Sequence, residues 1–236
     1  MAIHAVLFDL DGTLLPMDQD LFVQTYLQKL CAKLVHHGYE PKKLAKSIWV
    51  GTDAMMRNDG SVTNEQRFWD SFAAAYGDEV RRDAPLFDEY YRNEFGTVRG
   101  VCGFTEESAK LVHQLQDLGI TVILATNPLF PAVATNQRIA WAGLTPEDFA
   151  LVTTFENSSY CKPNLKYYEA ILEQFGLDPR NCLMVGNDVG DDMPARELGM
   201  QVFLLTDCLI NLKNADTTPY PQGGFAELNA YIDANL

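Results

Sequence analysis

The chain has 236 residues, 47% hydrophobic and 21% charged, and its 18 Lys and Arg against 32 Asp and Glu give a formal net charge of -14. At about 100 to 200 residues per domain, this predicts a folded protein, either one large domain or one domain with a sizeable insertion, and excludes a disordered chain. The excess of acid repels phosphate backbones and anionic lipid head groups. The expected partner is therefore a small molecule, not nucleic acid or a membrane, and an anionic substrate would need a local cation.

Taken in chain order, the first apolar run, Ile3 to Phe8, leads into Asp9-Leu10-Asp11-Gly12-Thr13. It has no basic n-region and meets an acid too early for a signal sequence, and no segment approaches the roughly 20 apolar residues of a membrane span, so a cytoplasmic protein is expected. Cys31, Cys102, Cys161, Cys182 and Cys208 are odd in number and form no Cys-x-x-Cys pair, which suits reduced thiols. From Asp18 to Gly100 the pattern is helical almost throughout. Phe22, Tyr26, Leu30 and Leu34 share one helix face. Thr63-Asn64-Glu65-Gln66 reads as a capping box for a helix bearing Phe68, Trp69 and Phe72, and Leu86, Phe87, Tyr90, Tyr91 and Phe95 mark another. The aromatics of this stretch, Trp49 and Tyr76 among them, are expected mainly to pack a small helical core.

Strand and helix alternate beyond that point. A helix over Ser108 to Leu118 precedes a strand, Ile120 to Ala125, that runs into Thr126-Asn127. The strand Leu151 to Phe155 is followed by Lys162-Pro163 and a helix over Tyr167 to Phe175. The strand Cys182 to Val185 leads into Gly186-Asn187-Asp188-Val189-Gly190-Asp191-Asp192. A fifth strand spans Gln201 to Leu205, and a helix over Phe225 to Ile232 closes the chain. Nearly continuous apolar strands demand a parallel sheet covered on both faces. The predicted architecture is an α/β, doubly wound Rossmann-like parallel sheet core, residues 1–17 and 101–236, with an inserted all-helical cap domain, residues 18–100.

In such sheets ligands bind outside the carboxyl ends of the strands, where parallel topology would gather the acidic segments, Thr126 and Lys162. Clustered carboxylates offer hard oxygen ligands for Mg²⁺, and with Lys162 the ion would offset charges that otherwise repel a phosphate; a pair of like charges 4 Å apart costs about 4 kcal/mol at an effective dielectric near 20. Asp9 is placed to attack phosphorus. Asp11, two residues on and leaning to the same side, is the natural proton carrier for the leaving group and the attacking water. Gly12 permits a sharp turn with exposed amides, and Thr126 can donate a hydroxyl hydrogen bond to the phosphoryl group. His4, His36, His37 and His113 show no ligand spacing or partner, and Arg57, Lys46 and Arg92 could either bind a second anionic group or be ordinary solvated cations.

Together Asp9-x-Asp11-Gly12-Thr13, Thr126, Lys162 and the acidic loop after Gly186 resemble, in order and separation, the four signature motifs of the haloacid dehalogenase (HAD) superfamily of aspartate-nucleophile hydrolases. An insertion between the first and second motifs resembles the C1-capped subclass, in which a helical lid closes over the site. The resemblance implies an Mg²⁺-dependent phosphomonoester hydrolase acting on a small phosphorylated metabolite through an aspartyl-phosphate. Asp9, Asp11, Thr126 and Lys162 would be catalytic, Gly12, Thr126, Asn127 and Lys162 would bind the phosphate, and Asp9, Asp11 and Asp188 would hold the metal. The fourth motif departs from the usual Gly-Asp, since Asn187 intervenes; Asp188 is taken as the ligand, with Asp191 or Asp192 orienting waters and Lys162. A dehalogenase does not need the second acid, so Asp11 argues against one, and a phosphonatase would need a marked lid lysine. A sugar phosphomutase would share every core motif. From another class, a non-catalytic phospho-aspartate or metal-binding module is the competing expectation.

Overall fold

The computed structural model describes residues 2–236. The chain opens on β1 (Ala5–Phe8) and passes through four helices, α1 (Gln19–Leu34), α2 (Pro41–Met56), α3 (Asn64–Tyr76) and α4 (Ala84–Asn93). It continues with α5 (Glu106–Asp117), β2 (Thr121–Leu124), α6 (Ala132–Trp141), β3 (Leu151–Val152), α7 (Leu165–Phe175), β4 (Cys182–Gly186), β5 (Gln201–Leu205), β6 (Gln222–Gly223) and α8 (Phe225–Asp233). All six strands are parallel, in the order β3-β2-β1-β4-β5-β6. β1 therefore sits in the middle, with β2 on one side and β4 on the other, and the sheet order reverses there.

Two apolar layers follow from the two-residue period of the strands. Val6, Phe8, Val122, Leu124, Leu183 and Val185 belong to one apolar cluster with buried residues of α5, α6 and α8, which continues into the helices α1 to α4. Ala5, Leu7, Ile123, Cys182 and Met184 face Tyr167, Tyr168, Ile171 and Leu172 of α7. Residues alternating along one strand point to opposite faces, so a strand buried on both must be apolar throughout.

Between Met17 and Cys102, whose segments meet in an antiparallel bridge, the described residues contain helices and 3₁₀ turns but no strand. The capping box expected at Thr63 is present: Gln66 N–H donates to Thr63 Oγ1 at 3.2 Å and Thr63 N–H to Gln66 Oε1 at 3.3 Å. Phe72 is fully buried against Phe68, Tyr76 and Phe87, as a helical core requires. Trp49, in contrast, is 54% exposed.

Three features differ from the sequence expectation. β3 stops at Val152, because as an edge strand it has β2 on one side alone and Thr153 turns its hydroxyl to the Thr126 carbonyl, 2.7 Å away. β6 is a two-residue strand whose sequence, Gln-Gly, carries no apolar run to announce it. His113 does have a partner, Asp148 Oδ1 at 3.2 Å, though the pair lies at the surface. All five cysteines are free. Among the described residues no helix is long and apolar enough to cross a membrane.

Candidate active site

The carboxyl end of β1 delivers Asp9, whose backbone N–H donates to the Val185 carbonyl of β4. Its side chain meets Lys162, from the segment that enters α7: Lys162 Nζ donates to Asp9 Oδ1 at 2.9 Å and to Asp192 Oδ1 at 2.6 Å. Lys162 is 1% exposed, and Asp192 is equally buried. Burial alone would strip the lysine of its proton, but Asp192 and Asp9 outweigh that penalty and hold the ammonium well above its ordinary range. A buried charge survives only with such partners.

The loop after β4 is folded around the same pair. Asp192 Oδ2 accepts from the Asp188 N–H at 3.0 Å, while Asp188 Oδ1 accepts from Gly190 and Asp191 N–H at 2.7 and 3.1 Å. Asn187, at the motif's irregular position, is 1% exposed and spends both amide atoms on protein: Thr13 Oγ1 donates to its Oδ1 at 3.0 Å, and its Nδ2 donates to the Cys208 carbonyl at 2.7 Å. It ties the loop after β1 to the segment after β5. Two glycines make this packing possible. Gly12 has φ +89° and a methyl there would collide with the Asn187 amide, while one at Gly186 would collide with the Asp192 carboxylate.

Of the two acids left open by sequence, Asp192 is the one that meets Lys162. Asp191 instead accepts from Asn127 Nδ2 at 3.1 Å, and burial followed by the charge of Asp188 raises its pKa. Thr126 is 3% exposed at the end of β2, its carbonyl held by Thr153 Oγ1 and Tyr167 Oη. The β2 loop does not cap α6: that helix starts at Ala132, after Pro131, and Glu156 accepts its first free N–H, from Ala132.

Sequence reasoning missed Arg138. It lies on α6, 1% exposed, and its Nη1 pairs with Asp11 Oδ2 while its Nη2 donates to Thr135 Oγ1 at 3.2 Å. The guanidinium stacks over Phe130, 4.4 Å from the ring centroid. The signal was available: Ala134, Thr135, Arg138 and Ile139 form the buried stripe of α6, and an arginine on an apolar stripe has to find an anion. Burial raises the Asp11 carboxyl to about 6, against the pull of Arg138 downward and with a further push upward from Asp9. Asn64, the first residue of α3, was also missed. It is fully buried and its Nδ2 donates to the Pro128 carbonyl at 3.2 Å and toward Cys161 Sγ at 3.3 Å, beside both Thr126-Asn127 and Lys162.

A parallel sheet whose central strand leads into Asp9 and Asp11, with a buried lysine shared between Asp9 and a second acidic loop, defines a carboxylate-centred α/β enzyme. Comparison with known proteins agrees: residues 3–199 match the family model described as haloacid dehalogenase-like hydrolase, and the chain belongs to that family. It is 26% identical over 208 residues to a phosphoglycolate phosphatase of Vibrio vulnificus, covering 86% of this chain and 84% of the relative. In fold it is similar to a 2-haloacid dehalogenase from Pseudomonas syringae (TM-score 0.62, 19% identity, 98% and 99% of the two chains) and to a HAD phosphatase from Thermococcus onnurineus (TM-score 0.59, 18% identity, 98% of each). The protein is thus a HAD-like hydrolase, and the doubly wound Rossmann-like sheet expected from the sequence is the fold it has.

Proposed function

We propose that this hydrolase cleaves phosphate monoesters of small metabolites, with Asp9 as nucleophile and Mg²⁺ as cofactor. The observation that carries the reading is the placement of Lys162 between Asp9 and Asp192, with a second acid, Asp11, two residues beyond the first on the same strand end. In this reading Lys162 orients the Asp9 carboxylate and neutralises charge brought by the phosphate, and Asp9 attacks phosphorus to form an aspartyl-phosphate as the alcohol leaves. Asp11, with a carboxyl raised to about 6, can hold a proton near neutral pH, give it to the leaving oxygen and then take one from the attacking water. Gly12 N–H, Thr126 and Asn127 would receive phosphoryl oxygens. The relatives named phosphoglycolate phosphatase support hydrolysis over mutase chemistry or a non-catalytic role.

The residues present fit a magnesium ion. Asp11 Oδ1 and Asn127 Oδ1 are buried without a hydrogen-bond partner among the described residues, and Asp9 and Asp188 would supply the hard carboxylate oxygens, leaving the Asp11 carboxyl to carry the proton. No three acidic, histidine or cysteine side chains of the described residues converge on one point, so a bound Mg²⁺ would have to complete its shell with water and substrate phosphate. When bound, it would neutralise the phosphate and polarise it toward attack. Residues 18–100 would act as the cap, hinged where the segments of Met17 and Cys102 pair, and would exclude water during the first step.

Phosphate release from a panel of monoesters, with Mg²⁺ or with EDTA, tests this for wild type and Asp9→Asn. Release that needs both the metal and Asp9 is expected; full turnover by Asp9→Asn would remove the nucleophile from the scheme.

A further inference from the structure

A cavity of about 1520 Å³ lies between the helices α1 to α4 and the strand-end loops, and Asp188 forms part of its wall. Aromatic rings supply much of the remainder, including Trp49, Phe68, Trp69, Tyr91, Phe130 and Phe155. Every charged residue of the wall is an acid: besides Asp188 there are Asp18, Asp20, Glu65, Asp88, Glu156 and Asp207, and among the described residues no Lys, Arg or His lines the cavity.

Nearby cations are engaged in ion pairs, one of them with Asp88 of the wall itself. Arg92 is paired with Asp88 at 3.1 Å, Arg57 with Asp53 at 2.9 Å and Arg67 with Asp59 at 3.0 Å, and Lys33 meets Glu89 and Glu94. Lys162 and Arg138 are held by Asp9, Asp192 and Asp11. Glu65 reports the resulting field, since burial and then the charges of Glu156 and Asp88 raise its pKa. A ligand group entering here meets apolar rings and a negative potential, with no counter-charge to receive a second anion.

We infer, building on the phosphomonoesterase reading, that this cavity takes the organic part of the substrate and that this part is uncharged and presents an aromatic or otherwise apolar face. Esters that carry a carboxylate or a second phosphate are turned away. The consequence reaches the relatives' name as well: phosphoglycolate bears a carboxylate, so its hydrolysis is expected to be poor here. A bisphosphate, the activator a sugar mutase would need, is disfavoured on the same ground.

The matched pair of phenyl phosphate and 4-carboxyphenyl phosphate, assayed with Mg²⁺ beside phosphoglycolate, tests the inference. The carboxylated phenol is the better leaving group, so chemistry alone favours it; the cavity predicts the opposite, a kcat/KM at least tenfold higher for phenyl phosphate than for either carboxylated ester. Equal or higher kcat/KM for the carboxylated esters overturns the proposal. Glu65→Lys should narrow the phenyl to 4-carboxyphenyl ratio at least threefold and Glu65→Gln should narrow it less; a ratio unmoved by both counts against the cavity as the selective element. Binding without turnover is read from quenching of the tryptophan fluorescence by benzyl alcohol and by benzoate. Preference for benzyl alcohol is expected, and preference for benzoate overturns the proposal. If neither ester is hydrolysed but benzyl alcohol is preferred, the phosphomonoesterase reading fails while the cavity's chemistry stands.

Discussion

Lys162 is the residue on which the charge balance of the site turns. Its ammonium is 2.9 Å from Asp9 and 2.6 Å from Asp192, and Lys162 and Asp192 are both 1% exposed, so water can do little to screen the Asp192 carboxylate if the ammonium is removed. Lys162→Met should destabilise the fold by about 3–5 kcal/mol, the usual result of leaving a buried charge without its partner, and should abolish phosphate release. Adding Asp192→Asn to Lys162→Met removes one of the stranded charges and should recover part of the stability but none of the activity. Urea unfolding of the three proteins measures this, and a double variant no more stable than Lys162→Met would show that the penalty has another origin. Arg138 belongs to the same balance. Arginine on an apolar helix stripe names the need for an anion without naming which one, and Asp11 is distant in sequence, so the pairing follows only from the fold that brings Arg138 to the loop after β1.

Elements with strong local signals were legible and those fixed by neighbours were not. The Thr63 capping box, the stripe of α1 and the apolar strands β1, β2, β4 and β5 each carry their pattern within a few residues. β6 exists because Gln222 and Gly223 lie along Leu204 and Leu205, a fact no local pattern of two residues can hold. The docking of α3 is likewise a property of its surroundings. Its first turn rests on the core through Asn64 N–H to the Ser158 carbonyl and Glu65 N–H to the Phe155 carbonyl, both 2.8 Å, with the Asn64 side chain reaching Pro128 and accepting from Asn58 Nδ2 at 2.9 Å. Asn64→Ala leaves those side-chain partners unsatisfied, so a loss of about 1–3 kcal/mol is expected. Because the same contact holds one side of the cavity, KM should rise more than kcat falls. A steady-state comparison that found kcat alone reduced would place Asn64 outside substrate binding.

At the scale of the whole molecule, the strand order gathers acids from separate parts of the chain at one end of the sheet, and the cost of that gathering depends on pH. The sheet arrangement was readable because Asp9, Thr126, Lys162 and the Asp188 loop each follow an apolar run, whereas the protonation of the assembled cluster depends on burial and on Arg138. Asp11 is the clearest case, with its carboxyl raised to about 6 from an unfolded value near 3.8. A raised carboxyl means that the folded state binds more protons than the unfolded one between those values. Its contribution to stability is therefore complete below pH 3.8 and is lost as the pH climbs through about 6. Asp11→Asn keeps the shape and removes the titration. In EDTA, the stability of Asp11→Asn relative to wild type should increase between pH 4 and pH 7.5 by on the order of 2 kcal/mol, with most of the change between pH 4 and pH 6.5. Taking the difference between the two proteins cancels every carboxylate they share, including those that favour folding when ionised. Mg²⁺ should act in the opposite sense on wild type, because it binds ionised carboxylates and stabilises only the folded chain, so its effect on Tm should be larger at pH 7.5 than at pH 5. Parallel curves for wild type and Asp11→Asn across this range in EDTA would mean that Arg138 outweighs burial and keeps Asp11 ionised throughout, and would leave the site without its proton donor near neutral pH.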